Sequence, residues 1–297
     1  MIELAPDRQP RPLGNSDIVV SAFAWGMWRL DGPVAEVRER VDAALEAGIT
    51  LFDTADIYGF GNSIGFGGAE TLFGQALAQA PHLRDGMVIA TKGGITPPVP
   101  YNSSAQYLAD ACDASLKRLG IDRIDLYQIH RRDFLTHPQE VAHALTRMVE
   151  AGKVRALGVS NYSPAELSAL QRFLDLPIVS TQPELSPLRV APLYDGTLDQ
   201  AMAENIAVLA WSPLGGGRLL AEGNPAGKLL AEQGAAYGTD AVAAALSWIM
   251  AHPARIIPIV GSQNPQRIRT SADALRVGWT REQWYAVMQA GTGEKLP

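Results

Sequence analysis

Residues 155–182, RALGVSNYSPAELSALQRFLDLPIVSTQ, contain one whole unit of the fold. Arg155–Val159 is a short apolar run of strand length, and Ser163-Pro164-Ala165-Glu166 reads as a capping box with proline at the first helical position. Leu167, Leu170 and Leu174 follow on one helical face, and Ile178–Gln182 is the next apolar run. A strand, a capped helix and a second strand in this order form a βαβ unit, which demands a parallel sheet.

The same grammar extends in both directions. Strands read at Val19–Ala24, Thr50–Asp53, Met87–Thr91 and Ile124–Ile129 before this unit, and at Ile206–Trp211 and Ile256–Val260 after it. The helix after the first strand starts with Pro33 at N1, carries Val34, Val37, Val41 and Leu45 at core spacing, and ends at Gly48. Leu108, Cys112, Leu116 and Leu119 mark another helical face. Further helices read at Ala69–Gln79, Pro138–Ala151, Pro192–Glu204, Asp240–Ala251 and Pro265–Leu275. Eight βα units predict a closed (β/α)8 TIM barrel, one domain over residues 1–297. The turn-rich segment before the first strand (Pro10, Pro12, Gly14, Asn15) predicts a short hairpin closing the barrel floor. Gly59–Gly68 and Gly215–Gly238 read as long loops on the catalytic side.

Composition narrows the function. A net charge of -6 over 297 residues gives no electrostatic reason to bind nucleic acid or an anionic membrane. The longest apolar stretch, Ala241–Ala251, is too short to span a bilayer, and MIELAPDRQPRPLG lacks the form of a signal peptide. Cys112 stands alone, and the N-x-S matches at Asn102 and Asn161 read as chance, so a reducing cytoplasm is the expected setting. His82, His137, His143 and His252 lack zinc-ligand spacing, which predicts a metal-free site. The glycines of 59–68 never meet the G-x-G-x-x-G spacing, and Gly215–Gly217 lack the Lys-Ser/Thr of a phosphate loop.

Barrel enzymes carry their working groups at the C-terminal ends of the strands. Here those ends supply Asp53 and then Tyr58, Lys92, His130, Ser160 with Asn161, Gln182, Trp211 with Ser212, and Gly261 with Ser262. Taken singly, Asp53 reads as a cap, Tyr58 as a packing residue, Lys92 as a solvated lysine and His130 as a buried histidine bonded to backbone. Their conjunction at successive strand ends points to chemistry. A tyrosine titrates near pH ~10 and donates a proton reluctantly, but a lysine cation beside it lowers that value and a carboxylate holds the lysine in place. Asp53 and Lys92 are thus expected to tune Tyr58, and His130 to orient a carbonyl oxygen that accepts its proton, with hydride supplied by a cofactor.

At these residues the chain resembles the aldo-keto reductase family, over essentially its whole length: LFDTADIYG carries Asp53 and Tyr58, ATKGG carries Lys92, and YQIHR carries His130. The resemblance implies carbonyl reduction with NADPH, NADH being admitted as an alternative. It places Ser160, Asn161 and Gln182 on the cofactor carboxamide and Trp211 against the nicotinamide. Ser212, Leu214 and Gly216 fall on the pyrophosphate, and Gly26 and Met27 near the nicotinamide. Ser262 and Arg267 fall on the adenosine 2′-phosphate, with Gly261 and Ser271 beside them. An Asn264 cap would set Arg267 in the first turn of a helix, where the dipole disfavours a cation unless an anion binds there. Gly261 departs from a lysine common at its position, and Thr270 and Ser271 from a frequent Glu-Asn pair. The glycine-rich GFGNSIGFGGAE after Tyr58 is longer than the usual spacing, and the tail after Trp284 is short. Trp25 and Trp28 read as core or as substrate wall, with the wall favoured for Trp28.

The expected partner is a small-molecule carbonyl compound, the expected assembly a monomer or small homo-oligomer. Two rival readings remain at this stage: a lysine Schiff-base aldolase built on Lys92, and a non-catalytic NADP(H)-binding sensor or regulatory subunit.

Overall fold

The computed structural model describes residues 4–296. Its first two strands, β1 (Arg11–Pro12) and β2 (Val19–Val20), form an antiparallel hairpin pairing Arg11 with Val20. Eight further strands make the barrel: β3 (Ala24–Gly26), β4 (Leu51–Asp53), β5 (Val88–Gly93), β6 (Ile124–Ile129), β7 (Val154–Ser160), β8 (Ile178–Gln182), β9 (Ala207–Ala210) and β10 (Ile257–Val260). All pair in parallel, and β10 closes on β3. The chain is a TIM barrel, as its alternating pattern predicts.

Side-chain alternation explains how an apolar barrel ends in a polar mouth. Leu51 and Asp53 share one face of β4, Val88, Ala90 and Lys92 one face of β5, and Leu126 and Gln128 one face of β6, in line with His130 just beyond it. The apolar members of these rows are buried in the barrel interior together with Leu13, Ile18 and Val20 of the hairpin, which plugs the floor. A larger cluster of buried residues joins the outer faces of the strands to the helices.

The helices are α1 (Val34–Glu46), α2 (Gly68–Gln79), α3 (Ala105–Leu119), α4 (Pro138–Glu150), α5 (Pro164–Gln171), α6 (Thr197–Glu204), α7 (Pro225–Ala236), α8 (Ala241–Met250), α9 (Pro265–Thr270) and α10 (Arg281–Thr292). The capping box of α5 forms as expected: Ser163 Oγ accepts from the Glu166 amide while Glu166 accepts from the Ser163 amide.

Several boundaries differ from the expectations. The strand read at Val19–Ala24 is two elements, because Ser21 exchanges backbone and side-chain hydrogen bonds with Thr50 and bends the chain between hairpin and barrel. Pro33 caps α1 in extended conformation instead of occupying N1. The helix read from Pro192 is a 3-10 turn at Ala191–Leu193 and then α6, divided by Gly196 at φ 86°. The one read at Pro265–Leu275 is α9 followed by a 3-10 segment, Ser271–Arg276. The span 215–238 read as loop contains a 3-10 segment, Gly215–Leu220, and all of α7, opened by the Asn224 cap and Pro225. The C-terminal tail includes α10, whose Trp284 stacks on Trp248 of α8 with centroids 4.4 Å apart. No helix among the described residues is long and apolar enough to cross a membrane.

Candidate active site

Three strand ends and one turn bring the four expected residues together. Lys92, fully buried near the end of β5, donates from Nζ to Asp53 Oδ2 at 2.7 Å, to the Thr54 carbonyl at 2.8 Å and to Tyr58 Oη at 3.2 Å. An ammonium has three protons, so these contacts fill its donor capacity. Because Lys92 can only donate, the Tyr58 oxygen accepts, and the phenolic proton stays available for another acceptor. The second Asp53 oxygen accepts from Gln182 Nε2 at 2.9 Å and from Gln128 Nε2 at 3.4 Å. The His130 ring stands edge-on to Tyr58, centroids 5.9 Å apart, with Nδ1 buried and unpartnered.

The electrostatics correct one expectation. Lys92 does pull the Tyr58 pKa down, but burial pushes harder and Asp53 adds to it, so the phenol sits above its ordinary value. Tyr58 is therefore a firmly protonated acid and not a phenolate in waiting. Burial opposes the Lys92 charge, yet Asp53 and Tyr58 raise its pKa overall, keeping the ammonium. Burial, helped by Lys92 and Arg131, drives His130 well below its ordinary range, so its imidazole is neutral at physiological pH.

Behind this group lies a polar cluster that sequence reasoning does not single out. Glu70 of α2 is fully buried and accepts from Thr91 and from Arg118 Nε of α3, the latter at 2.7 Å. Asp56, 1% exposed, accepts from the Tyr107 hydroxyl at 3.3 Å on one oxygen, while the other has no side-chain partner among the described residues and at most a strained contact with the Ile57 amide. Burial and the neighbouring Glu70 raise its pKa to about 8, so Asp56 is carried as the acid at neutral pH. Tyr127, fully buried beside it, also has an unpartnered hydroxyl. Nothing in the string distinguishes Asp56 from a solvated aspartate. Gln128 is within reach of such reasoning, since it lies two residues before His130 and so faces the same interior.

The residues read as a cofactor seat line the next strand ends. Asn161, at φ 56°, donates from Nδ2 to Ser160 Oγ at 2.7 Å and accepts from Trp211 Nε1 at 2.9 Å. Ser212 also has a left-handed backbone, φ 55°, and non-glycine residues adopt that conformation at some cost, which functional sites tend to store. Gly215, Gly216 and Gly217 continue with φ of 57°, 71° and 97°, next to half-buried Leu214; three consecutive left-handed residues require glycine. Gly216 is exposed and open. The Arg131 guanidinium lies over the Trp211 ring, 5.8 Å from its centroid.

On the far side of the mouth, Asn264 caps α9 as expected, with Arg267 exposed at the third helical position and Ser262 Oγ accepting from the Asn264 amide. Exposed Gly261 leaves open space where a side chain would stand. Ser271 is not presented to the mouth: it is buried, and its hydroxyl donates to the Ile268 carbonyl. Met27 is likewise fully buried, its amide bonded to the Asp53 carbonyl, and Gly26 ends β3 against Ile259. Trp25 belongs to the core and donates to the Ser262 carbonyl, tying β3 to the segment after β10. Trp28 is 61% exposed and stands edge-on to Tyr58, centroids 5.2 Å apart, so it forms a wall of the mouth. Among the described residues no cluster of histidine, cysteine and carboxylate side chains is arranged to hold a metal ion.

The model of the aldo/keto reductase family matches residues 22–291. A 6-dehydroglucose reductase of Novosphingobium aromaticivorans is 53% identical over 294 residues, covering 97% of each chain. A second 6-dehydroglucose reductase, from Agrobacterium fabrum, is 39% identical over 297 residues, covering 95% of this chain and 98% of its own. Among solved structures, a thermostable aldo-keto reductase (Tm1743) bound to the inhibitor epalrestat superposes with a TM-score of 0.83 over 95% of this chain and all of its own, at 24% identity, a likeness of fold.

Proposed function

The chain belongs to the aldo/keto reductase family, whose members it matches as an oxidoreductase acting on carbonyls, and from that premise we propose that it reduces a sugar aldehyde with NADPH, Tyr58 giving the proton. The observation that carries the proposal is the Lys92 ammonium held between Asp53 and the Tyr58 oxygen. Bound NADPH supplies a hydride to the carbonyl carbon. Tyr58 protonates the carbonyl oxygen, and Lys92 stabilises the negative charge left on the phenol. Neutral His130 holds the same oxygen: its buried Nδ1 lacks an acceptor, which favours the proton on Nε2 and leaves that nitrogen as the donor. Trp28 offers an aromatic face beside the reacting carbonyl.

The chain has residues suited to the cofactor. Ser160, Asn161 and Gln182 present polar groups for a carboxamide, Trp211 an aromatic face, and Gly216 and Gly217 an exposed backbone for a pyrophosphate. Exposed Arg267 has no ion-pair partner among the described residues and suits a 2′-phosphate, while Gly261 leaves that site one cation poorer than a lysine would. The 6-dehydroglucose reductases support an aldehyde-bearing hexose as substrate.

The aldolase reading is disfavoured on chemical grounds. A Schiff-base lysine must reach its neutral amine, and Lys92 has a raised pKa with all three protons engaged. The sensor reading makes the opposite prediction in one experiment. NADPH deuterated at the transferable position, incubated with 6-dehydroglucose and the protein, should place deuterium on C6 of glucose. NADPH binding without label transfer to this or any aldehyde of a broad panel would leave the sensor.

A further inference from the structure

Gln182 faces two ways. Its side-chain nitrogen lies 2.9 Å from Asp53 Oδ1, and its side-chain oxygen takes no hydrogen bond from any described residue. The orientation of the amide follows from chemistry: a carboxylate oxygen only accepts, so the NH2 end must face Asp53. Gln182 is 2% exposed and Asp53 equally so, and in such surroundings a hydrogen bond to a charged group is strong and directional. The other Asp53 oxygen is the one that grips Lys92. Thus one unbroken series of contacts runs from Gln182 through Asp53 and Lys92 to the Tyr58 oxygen.

We infer that Gln182 is a positioning residue for proton donation: it fixes the rotation of the Asp53 carboxylate and, through it, the Lys92 ammonium against Tyr58, so that the cofactor seat and the proton donor are mechanically one unit. This inference rests on the reading of Tyr58 as the proton donor. It differs from a role confined to gripping the cofactor, which needs only the amide oxygen. Gln128 Nε2, at 3.4 Å, is a longer and weaker support to the same carboxylate oxygen and does not replace it.

Two substitutions separate the roles. In Gln182→Glu, the introduced carboxyl group, while protonated, donates to Asp53 as the amide did, but on ionisation two carboxylates face each other and repel. The expected kcat at saturating NADPH is within about threefold of wild type near pH ~5.5, falling to a tenth or less by pH ~8, a limb that wild type lacks. Gln182→Met, which fills the space but donates nothing, is expected to lower kcat about tenfold at every pH. For both variants the NADPH dissociation constant, read from quenching of protein fluorescence, supplies the second measurement. A kcat-against-pH curve for Gln182→Glu parallel to wild type, or a Gln182→Met protein with wild-type kcat and only weaker NADPH binding, overturns the inference. Failure of the underlying reading is distinguishable, because it would appear as full turnover in Tyr58→Phe.

Discussion

Replacing Asp56 with asparagine should stabilise this protein at neutral pH, and the gain should vanish in acid. Asp56 titrates near 3.8 in an unfolded chain and at about 8 in the native protein, where burial and Glu70 oppose its charge. The titratable groups acting on it are Glu70 on α2, Tyr107 and Arg118 on α3, Tyr127 on β6 and Tyr58 of the site, and the Arg118 cation, which favours its charge, is already bonded to Glu70. The native state keeps a proton that the unfolded chain releases above about pH ~4, so stability falls as pH rises from roughly 4 to 8 and then levels. At 1.36 kcal/mol per pH unit, the penalty reaches about 4 kcal/mol at pH ~7 and roughly 6 above pH ~8. Asp56→Asn escapes that penalty but buries an amide with few partners, which costs about 1–3 kcal/mol. The net expectation is a gain of about 1–3 kcal/mol at pH ~7, or roughly 2–6 °C in Tm for a chain of this size. Near pH ~4 the variant should be equal to wild type or less stable. Thermal melts of both proteins from pH ~4 to 8.5 decide it; a Tm difference that does not change with pH, or a wild type more stable at pH ~8, would refute the reasoning.

Arg118→Met leaves Glu70 buried and uncompensated, and should cost about 3–5 kcal/mol in denaturant unfolding, whereas the double substitution with Glu70→Gln should recover much of that loss. Arg267→Ala should raise the NADPH dissociation constant roughly tenfold to a hundredfold by titration while leaving that of NADH nearly unchanged, the difference being one charge-assisted phosphate contact. Since the Tyr58 pKa is raised and that of His130 depressed, neither group changes protonation near neutrality. Reduction by wild type should therefore show no limb from either residue between about pH 6.5 and 7.5 in a kcat profile.

What the sequence makes legible is what repeats. Period-two alternation in β4, β5 and β6 puts Asp53, Lys92 and His130 at the open ends of interior rows, and polar residues ending apolar runs are visible in the string itself. The capping signals at Ser163 and Asn264 are local and fix helix starts correctly. Two equally local signals, Asn224-Pro225 before α7 and the Thr280–Gln283 box before α10, are masked by a glycine-rich run and by an apparent tail. Burial of single charges is different in kind. Asp56 becomes a neutral acid only because α2, α3 and β6 pack around it, and Gln182 meets Asp53 across 129 residues of chain. The direction of the Tyr58 pKa fails for the same reason: the sign depends on how much water packing excludes, which neighbouring letters do not encode.

The central claim is that Tyr58 donates the proton to a carbonyl oxygen while NADPH donates the hydride. A single-turnover experiment with enzyme in excess over 6-dehydroglucose, following NADPH oxidation in wild type and Tyr58→Phe, tests it most directly. The account predicts a rate of chemistry lower by roughly 10²–10⁴ in the variant, with NADPH affinity and thermal stability unchanged. Equal single-turnover rates in the two proteins would contradict it.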